Sequence, residues 1–154
     1  MVFVVKQCFE ASAIGRCREE YLLAYKILCV DDEKNLVDIY SAGLIKAGYE
    51  VVIAYDGEQA LEKAEQDKPD VVILDLMMPK LNGFEVLMQI RKRFKKWIPV
   101  IIYSAENDLE SLKKAYRLEA DHYLTKPCSM ENMIRGVETM LSLIPLRIQE
   151  PGNG

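Results

Sequence analysis

The chain has 154 residues, enough for one domain with a substantial core. Half of them are hydrophobic, 29% are charged and the net charge is −4, which excludes a disordered chain and gives no general attraction to nucleic acid. No apolar run reaches membrane-span length. The four cysteines (Cys8, Cys17, Cys29 and Cys128) show no C-x-x-C spacing, so zinc and disulfide frameworks are disfavoured and a reducing cytoplasm is the simplest setting.

Residues 1–25 stand apart from the rest of the chain. Val2-Phe3-Val4-Val5 is too short for a signal-peptide core and lacks a basic region before it; it reads as a stray edge strand, with Arg18 to Ala24 as a short helix. Translation beginning at Leu22 or Leu23, through a UUG or CUG codon, would open the chain just before Tyr25-Lys26-Ile27. Residues 1–25 are therefore expected to be an extension, mis-assigned or poorly ordered, ahead of a domain over 26–144 and a fraying tail over 145–154.

From Lys26 onward, apolar runs alternate with amphipathic stretches. The first run, Lys26 to Val30, has no polar alternation, as in a parallel strand covered on both faces, and it ends in Asp31-Asp32-Glu33. Taken alone, either Asp is readable as the N-cap of the next helix. Two adjacent acids also raise each other's pKa unless a cation lies between them, and oxygen-only ligands suit a hard ion such as Mg²⁺. A helix follows over Glu33 to Ala47, with Leu36, Tyr40, Leu44 and Ala47 as its apolar stripe and Gly48 as C-cap.

A second strand over Glu50 to Ala54 and a helix over Gly57 to Gln66 carry no chemistry. The third strand, Asp70 to Leu74, ends in Asp75, followed by Leu76-Met77-Met78-Pro79 and a helix over Gly83 to Phe94. If the first and third strands are neighbours, Asp75 lands beside Asp31 and Asp32, and three converging carboxylates need a cation. A metal-bound carboxylate can serve as a nucleophile. The basic cluster Arg91-Lys92-Arg93 with Lys95-Lys96 reads as a solvated helix end, where cations complement the dipole.

The fourth strand, Ile98 to Tyr103, ends in Ser104-Ala105 before a helix over Asp108 to Leu118. The fifth, Asp121 to Leu124, ends in Thr125-Lys126-Pro127 before a helix over Ser129 to Leu143. Ser104 is readable as a helix cap and Lys126 as a solvated lysine. Facing three acids, however, a hydroxyl and an ammonium make a seat for a phosphoryl group. Pro127 admits a cis Lys126-Pro127 bond, which would aim the lysine inward. Five β-α units imply a doubly wound parallel sheet with its site at the carboxyl ends of the strands. His122, the single histidine, reads as an exposed strand residue.

The set Val30-Asp31-Asp32, Leu74-Asp75-Leu76-Met77-Met78-Pro79, Asn82-Gly83, Tyr103-Ser104-Ala105 and Tyr123-Leu124-Thr125-Lys126-Pro127 resembles the receiver domain of bacterial two-component response regulators, in order and spacing, over about Lys26 to Leu143. The resemblance implies a flavodoxin-like five-stranded sheet in order 2-1-3-4-5. It implies that Asp75 accepts a phosphoryl group from the phosphohistidine of a sensor histidine kinase or histidine phosphotransfer protein. Mg²⁺ would be held by Asp31, Asp32, Asp75 and the backbone carbonyl of Met77. Lys126, Ser104 and the backbone of Ala105 would bind the phosphoryl oxygens, with Ser104 and Tyr123 as the switch pair. Met77 and Glu106 occupy positions that tune acyl-phosphate lifetime in the family.

Departures are modest: Glu119-Ala120-Asp121-His122 stands where the family often has Gly-Ala-Asp-Asp, and Cys128 where Phe is frequent. They flank the output surface of the fourth helix, fifth strand and fifth helix, through which a downstream protein would be contacted. The expected protein is a cytoplasmic, stand-alone regulator that binds neither nucleic acid nor membrane and catalyses only its own phosphorylation and dephosphorylation. A phosphorylation-dependent homodimer is compatible with it. The alternatives are a receiver excised from a larger regulator or hybrid kinase, and an Mg²⁺-dependent aspartyl-phosphate hydrolase. The latter is disfavoured because its second Asp would fall at Met77. No Gly-rich phosphate loop follows the first strand, which argues against flavin or dinucleotide binding.

Overall fold

Residues 24–148 are described by a computed structural model of the protein. Within them, strands β1 (Lys26–Val30), β2 (Glu50–Ala54), β3 (Val71–Leu74), β4 (Val100–Ser104) and β5 (His122–Thr125) alternate with helices α1 (Lys34–Lys46), α2 (Gly57–Asp67), α3 (Gly83–Arg93), α4 (Leu109–Arg117) and α5 (Met130–Ile148). The strands pair in parallel in the order β2-β1-β3-β4-β5, the doubly wound order that the resemblance to receiver domains implies.

Successive strand residues point to opposite faces, and both faces here are apolar, which is why the strands read as unbroken hydrophobic runs. Leu28, Val30, Val72, Leu74 and Ile102 belong to a core with α2, α3 and α4, through residues such as Leu61, Leu87 and Ala115. Ile27, Cys29, Ile73, Ile101 and Tyr103 belong to a second core with α1 and α5, through Val37, Leu44, Met133 and Val137. Each fully buried Leu or Ile contributes roughly 1.5–3 kcal/mol, so a one-residue slip of β1 would exchange its two sets of contacts at large cost.

Several boundaries differ from the predicted ones. β3 starts at Val71 rather than Asp70, whose carboxylate instead accepts the Lys26 N–H at 2.8 Å. β4 starts at Val100 rather than Ile98, because Pro99 has no N–H to donate to the ladder. β5 starts at His122, and the carboxylate of Asp121 accepts the Val100 N–H at 2.8 Å. In α1 the buried positions are Val37, Tyr40, Ser41 and Leu44, whereas Ala47 is exposed, so the inward stripe includes a serine that hydrophobicity alone passes over. His122 is half-buried rather than exposed, close enough to Gly136 that a Cβ there would lie 3.3 Å from its ring.

The fifth helix corrects the expected tail: α5 runs past Leu143 and through Pro145 to Ile148. A proline removes its own helical N–H bond and crowds the carbonyl four residues back, but the remaining bonds allow a helix to continue beyond it. Residues 1–23 of the expected N-terminal extension, and 149–154 of the tail, lie outside the described residues.

Two glycines are required by local geometry. Gly48 has φ +101 just beyond the α1 C-cap, the left-handed position that ends a helix most readily with glycine. At Gly83 an added Cβ would lie 2.2 Å from the backbone oxygen of Asp75, so the start of α3 packs directly on the Asp75 turn. The Asn82–Glu85 capping box fixes that start: the Asn82 side chain accepts the Glu85 N–H and the Glu85 carboxylate accepts the Asn82 N–H.

Candidate functional site

Strand register brings the acids together. Val30 is paired with Leu74, so the next residues, Asp31 and Asp75, leave adjacent strands side by side. Ladder bonds continue one step further: the Asp31 N–H donates to Ala54 O at 3.1 Å and the Asp75 N–H to Val30 O at 3.0 Å. This is where the strand order reverses, the crevice position expected of a site in an open parallel sheet. One carboxylate oxygen from each of Asp31, Asp32 and Asp75 lies within 4.8 Å of the others. Asp31 and Asp75 are buried and Asp32 is exposed, so the cluster opens to solvent on one side.

Asp31 Oδ1 accepts the Glu33 N–H at 2.9 Å, a short turn that carries the chain into α1. Glu33 itself is the N-cap residue of α1 and makes no side-chain cap bond. Asp31 Oδ2 accepts a hydrogen bond from Lys126 Nζ at 2.7 Å, and the same ammonium is 3.4 Å from Asp75 Oδ2. Asp75 Oδ1 accepts the Met77 N–H at 3.3 Å. Met77 projects outward, 61% exposed, beside the cluster.

Burial pushes the Asp75 carboxyl up to about 6, with the Asp31 charge adding to the rise, while Lys126 and the Met77 N–H pull the other way. Burial opposes the Lys126 charge, but its hydrogen bond to Asp31 and the charge of Asp75 outweigh this and hold the ammonium above its usual range. One cation thus spans two buried acids, and the third acid is left facing solvent. Three carboxylate oxygens this close, with no nitrogen or sulfur donor in the set, fit a hard, oxygen-preferring cation.

Ser104 closes β4 and is paired with Thr125; one residue on, the Lys126 N–H donates to Ser104 O at 2.8 Å. The buried Ser104 Oγ accepts the Glu106 N–H at 3.2 Å, and Ala105 between them is exposed. The half-buried Tyr123 donates its hydroxyl to the Glu106 carbonyl at 2.6 Å. The Glu106 carboxylate in turn accepts from Ser111 Oγ, in the first turn of α4, at 2.8 Å. Glu106 therefore ties β4, β5 and α4 together through its N–H, its carbonyl and its side chain. The Lys126–Pro127 peptide is cis.

Two residues of this framework are not distinguished by the sequence patterns. The resemblance singles out Glu106 only as a position that tunes acyl-phosphate lifetime, and nothing local in the run Glu106-Asn107-Asp108 marks it as a hub. Arg91 belongs to the basic cluster expected to be a solvated helix end. Instead, its guanidinium donates to Ile98 O and Glu119 O, each at 2.7 Å, and to Asp121 Oδ2 at 2.7 Å. The helical spacing of Val86, Leu87 and Ile90 marks the buried face of α3 and puts Arg91 at its border, but it does not show which of the basic residues turns inward.

A sequence profile of the response regulator receiver domain matches residues 27–138. The chain is 41% identical over 116 residues to the alkaline phosphatase synthesis transcriptional regulatory protein PhoP of Bacillus subtilis, covering 75% of this chain and 48% of that protein. It therefore spans about half the length of that relative. Among solved structures it is similar to the Vibrio cholerae chemotaxis protein CheY4, with TM-score 0.71 and 32% identity over 77% of this chain and 99% of that one. It is also similar to a CheY-like receiver domain protein of Methanospirillum hungatei, with TM-score 0.76 and 25% identity over 80% of this chain and 98% of that one.

Proposed function

The chain belongs to the response regulator receiver domain family, and from that premise we propose that Asp75 accepts a phosphoryl group from the phosphohistidine of a sensor kinase or phosphotransfer protein, with Mg²⁺ as cofactor. The observation that carries this reading is the single ammonium of Lys126 spanning the buried Asp31 and Asp75 at 2.7 and 3.4 Å.

In the proposed reaction an Asp75 carboxylate oxygen attacks phosphorus as the N–P bond of the donor breaks, which leaves an acyl phosphate on Asp75 and a neutral imidazole on the donor after proton uptake. With a carboxyl at about 6, Asp75 is mostly ionised at neutral pH and available as the nucleophile. Asp31, Asp32, Asp75 and the Met77 carbonyl would hold Mg²⁺, which supplies charge neutralisation to the phosphoryl oxygens. Lys126 pairs with one phosphoryl oxygen, and Ser104 and the Ala105 N–H donate to another. When Ser104 turns to the phosphoryl group, its Oγ is withdrawn from the Glu106 N–H. The loop held by Tyr123 and Ser111 is then free to shift, and the population of active conformers rises.

The signal leaves through the α4-β5-α5 face, by contact with a downstream protein or with a second copy of the chain. A groove of about 530 Å³ on this flank, bordered by His122, Leu124, Asn132 and Arg135, is the recess such a partner would meet. The chain turns over no separate substrate in this reading, and its setting is the cytoplasm. A receiver that works as one module of a longer regulator is the second reading, supported by the chain spanning 48% of the Bacillus subtilis relative. Among the described residues no helix is long and apolar enough to cross a membrane.

The test is incubation with acetyl phosphate and Mg²⁺, followed by intact-mass measurement. The wild type should gain one phosphoryl group, and Asp75→Asn should gain none. Uptake that survives Asp75→Asn would defeat the reading.

A further inference from the structure

We propose that Tyr103 is a positioning residue that holds the Lys126 ammonium at the acid cluster through the face of its ring. Lys126 Nζ lies 5.4 Å from the centroid of that ring, within the range in which an ammonium is drawn to an aromatic face. Tyr103 is buried, and its ring meets Tyr40 edge-to-face, with centroids 5.5 Å apart and planes at 87°, so the ring is itself held from the α1 side.

Two consecutive β4 residues thus secure the segment from different directions. The carbonyl of Ser104 accepts the Lys126 N–H at 2.8 Å, and the ring of Tyr103 lies against the ammonium. The ring matters because the carboxylates have other claims on them. Resting on the proposed function, Asp31 and Asp75 must also serve a divalent cation and an incoming phosphoryl group, and each draws on the charge that holds Lys126. An aromatic face carries no net charge and offers no oxygen to such a cation, so its attraction for the ammonium persists when the carboxylates are shared. Leucine or valine at this position would keep it apolar but offer the ammonium no aromatic face.

Substituting Tyr103 with phenylalanine, and with phenylalanines bearing one, two or three ring fluorines, drains the ring face of negative potential while nearly preserving its shape. The full chain is read in two ways: the order parameter of the Lys126 ammonium by ¹⁵N relaxation without divalent ion, and the rate of phosphoryl uptake from acetyl phosphate with Mg²⁺. Thermal melting controls for folding. The expected result is a stepwise loss of ammonium order and a rate falling roughly three- to thirtyfold across the series at unchanged melting temperature. A flat order parameter overturns the proposal, and so does loss of order with no change in rate in a chain that does take up phosphate. If the unsubstituted chain takes up no phosphate, the phosphoryl-acceptor reading fails. The order parameter then decides the Tyr103–Lys126 contact by itself.

Discussion

Lys126 at the end of β5 donates to Asp31 at the end of β1 at 2.7 Å, across 95 positions of sequence and with β3 and β4 between their strands in the sheet. Asp31 and Asp75 are both buried, and their charges are tolerable side by side because one ammonium reaches both. The acid proposed as phosphoryl acceptor, Asp75, is the more distant of the two partners at 3.4 Å, which leaves it the less committed to the lysine.

Removing that ammonium exposes the repulsion. Lys126→Met is expected to destabilise the fold at neutral pH by about 1–3 kcal/mol, the usual cost of leaving buried polar groups unpaired. It should also slow phosphoryl uptake at least about tenfold, the equivalent of roughly 1.4 kcal/mol at the transition state. Urea unfolding and acetyl phosphate labelling check the two effects separately.

Stability should depend on pH through Asp75. Its carboxyl is raised from 3.8 to about 6 by burial first, so between those values the native state binds the proton more tightly than the unfolded chain does. Stability from this group is therefore full below its unfolded pKa and is lost as pH rises through about 6. Asp75→Asn should exceed the wild type by about 1–3 kcal/mol at roughly pH 8 without divalent ions, with the gap closing near about pH 4. Urea titrations of both proteins across this range would show it, and a gap that widens towards acid would contradict the assignment.

Mg²⁺ should act in the opposite sense to that charge penalty. A cation that binds only the folded chain stabilises it by about 2.7 kcal/mol at a hundredfold excess over its Kd. The melting temperature of the wild type should rise with MgCl₂ and fall back with EDTA, while Asp32→Ala, at the exposed member of the cluster, should lose most of the response. Equal responses in the two proteins would place the ion elsewhere.

The two constrained glycines separate folding from chemistry. Gly83→Ala would force a Cβ to within 2.2 Å of the Asp75 backbone oxygen, shifting that turn at a cost of about 1–3 kcal/mol, and phosphoryl uptake should fall with it. Gly48→Ala meets no atom within 4 Å but must adopt φ +101, for a cost of about 1 kcal/mol with unchanged uptake. Chemical denaturation paired with labelling rates would show whether stability and uptake part company in this way.

The alternation of strands and helices is legible from the chain alone, because continuous apolar runs and helical spacing are recorded within short windows. Local rules also locate Gly48 and the acids and lysine at strand ends. Boundaries slip where a side chain takes over the work of the ladder, as with Asp70 and Asp121, and where proline silences it at Pro99. The inward turn of Arg91 is hidden because its partners, Glu119 and Asp121, lie about thirty positions away and no run of basic residues reveals which member turns inward.

What the amino-acid sequence determined by itself is thus the set of elements, the double burial of the sheet and the kinds of groups at its carboxyl edge. Strand order had to be inferred through the resemblance to receivers, since periodicity orients a strand's faces but does not choose its neighbours. Only the tertiary structure decided that Lys126 bonds Asp31 more closely than Asp75, that Glu106 joins Ser104, Tyr123 and Ser111, and that the Tyr103 ring lies against the ammonium. These relations depend on register, on which β1 residue stands opposite which β3 residue and how β5 is reached through β4. Register is set by packing both sheet faces at once, a property of the assembled layers that no local segment contains.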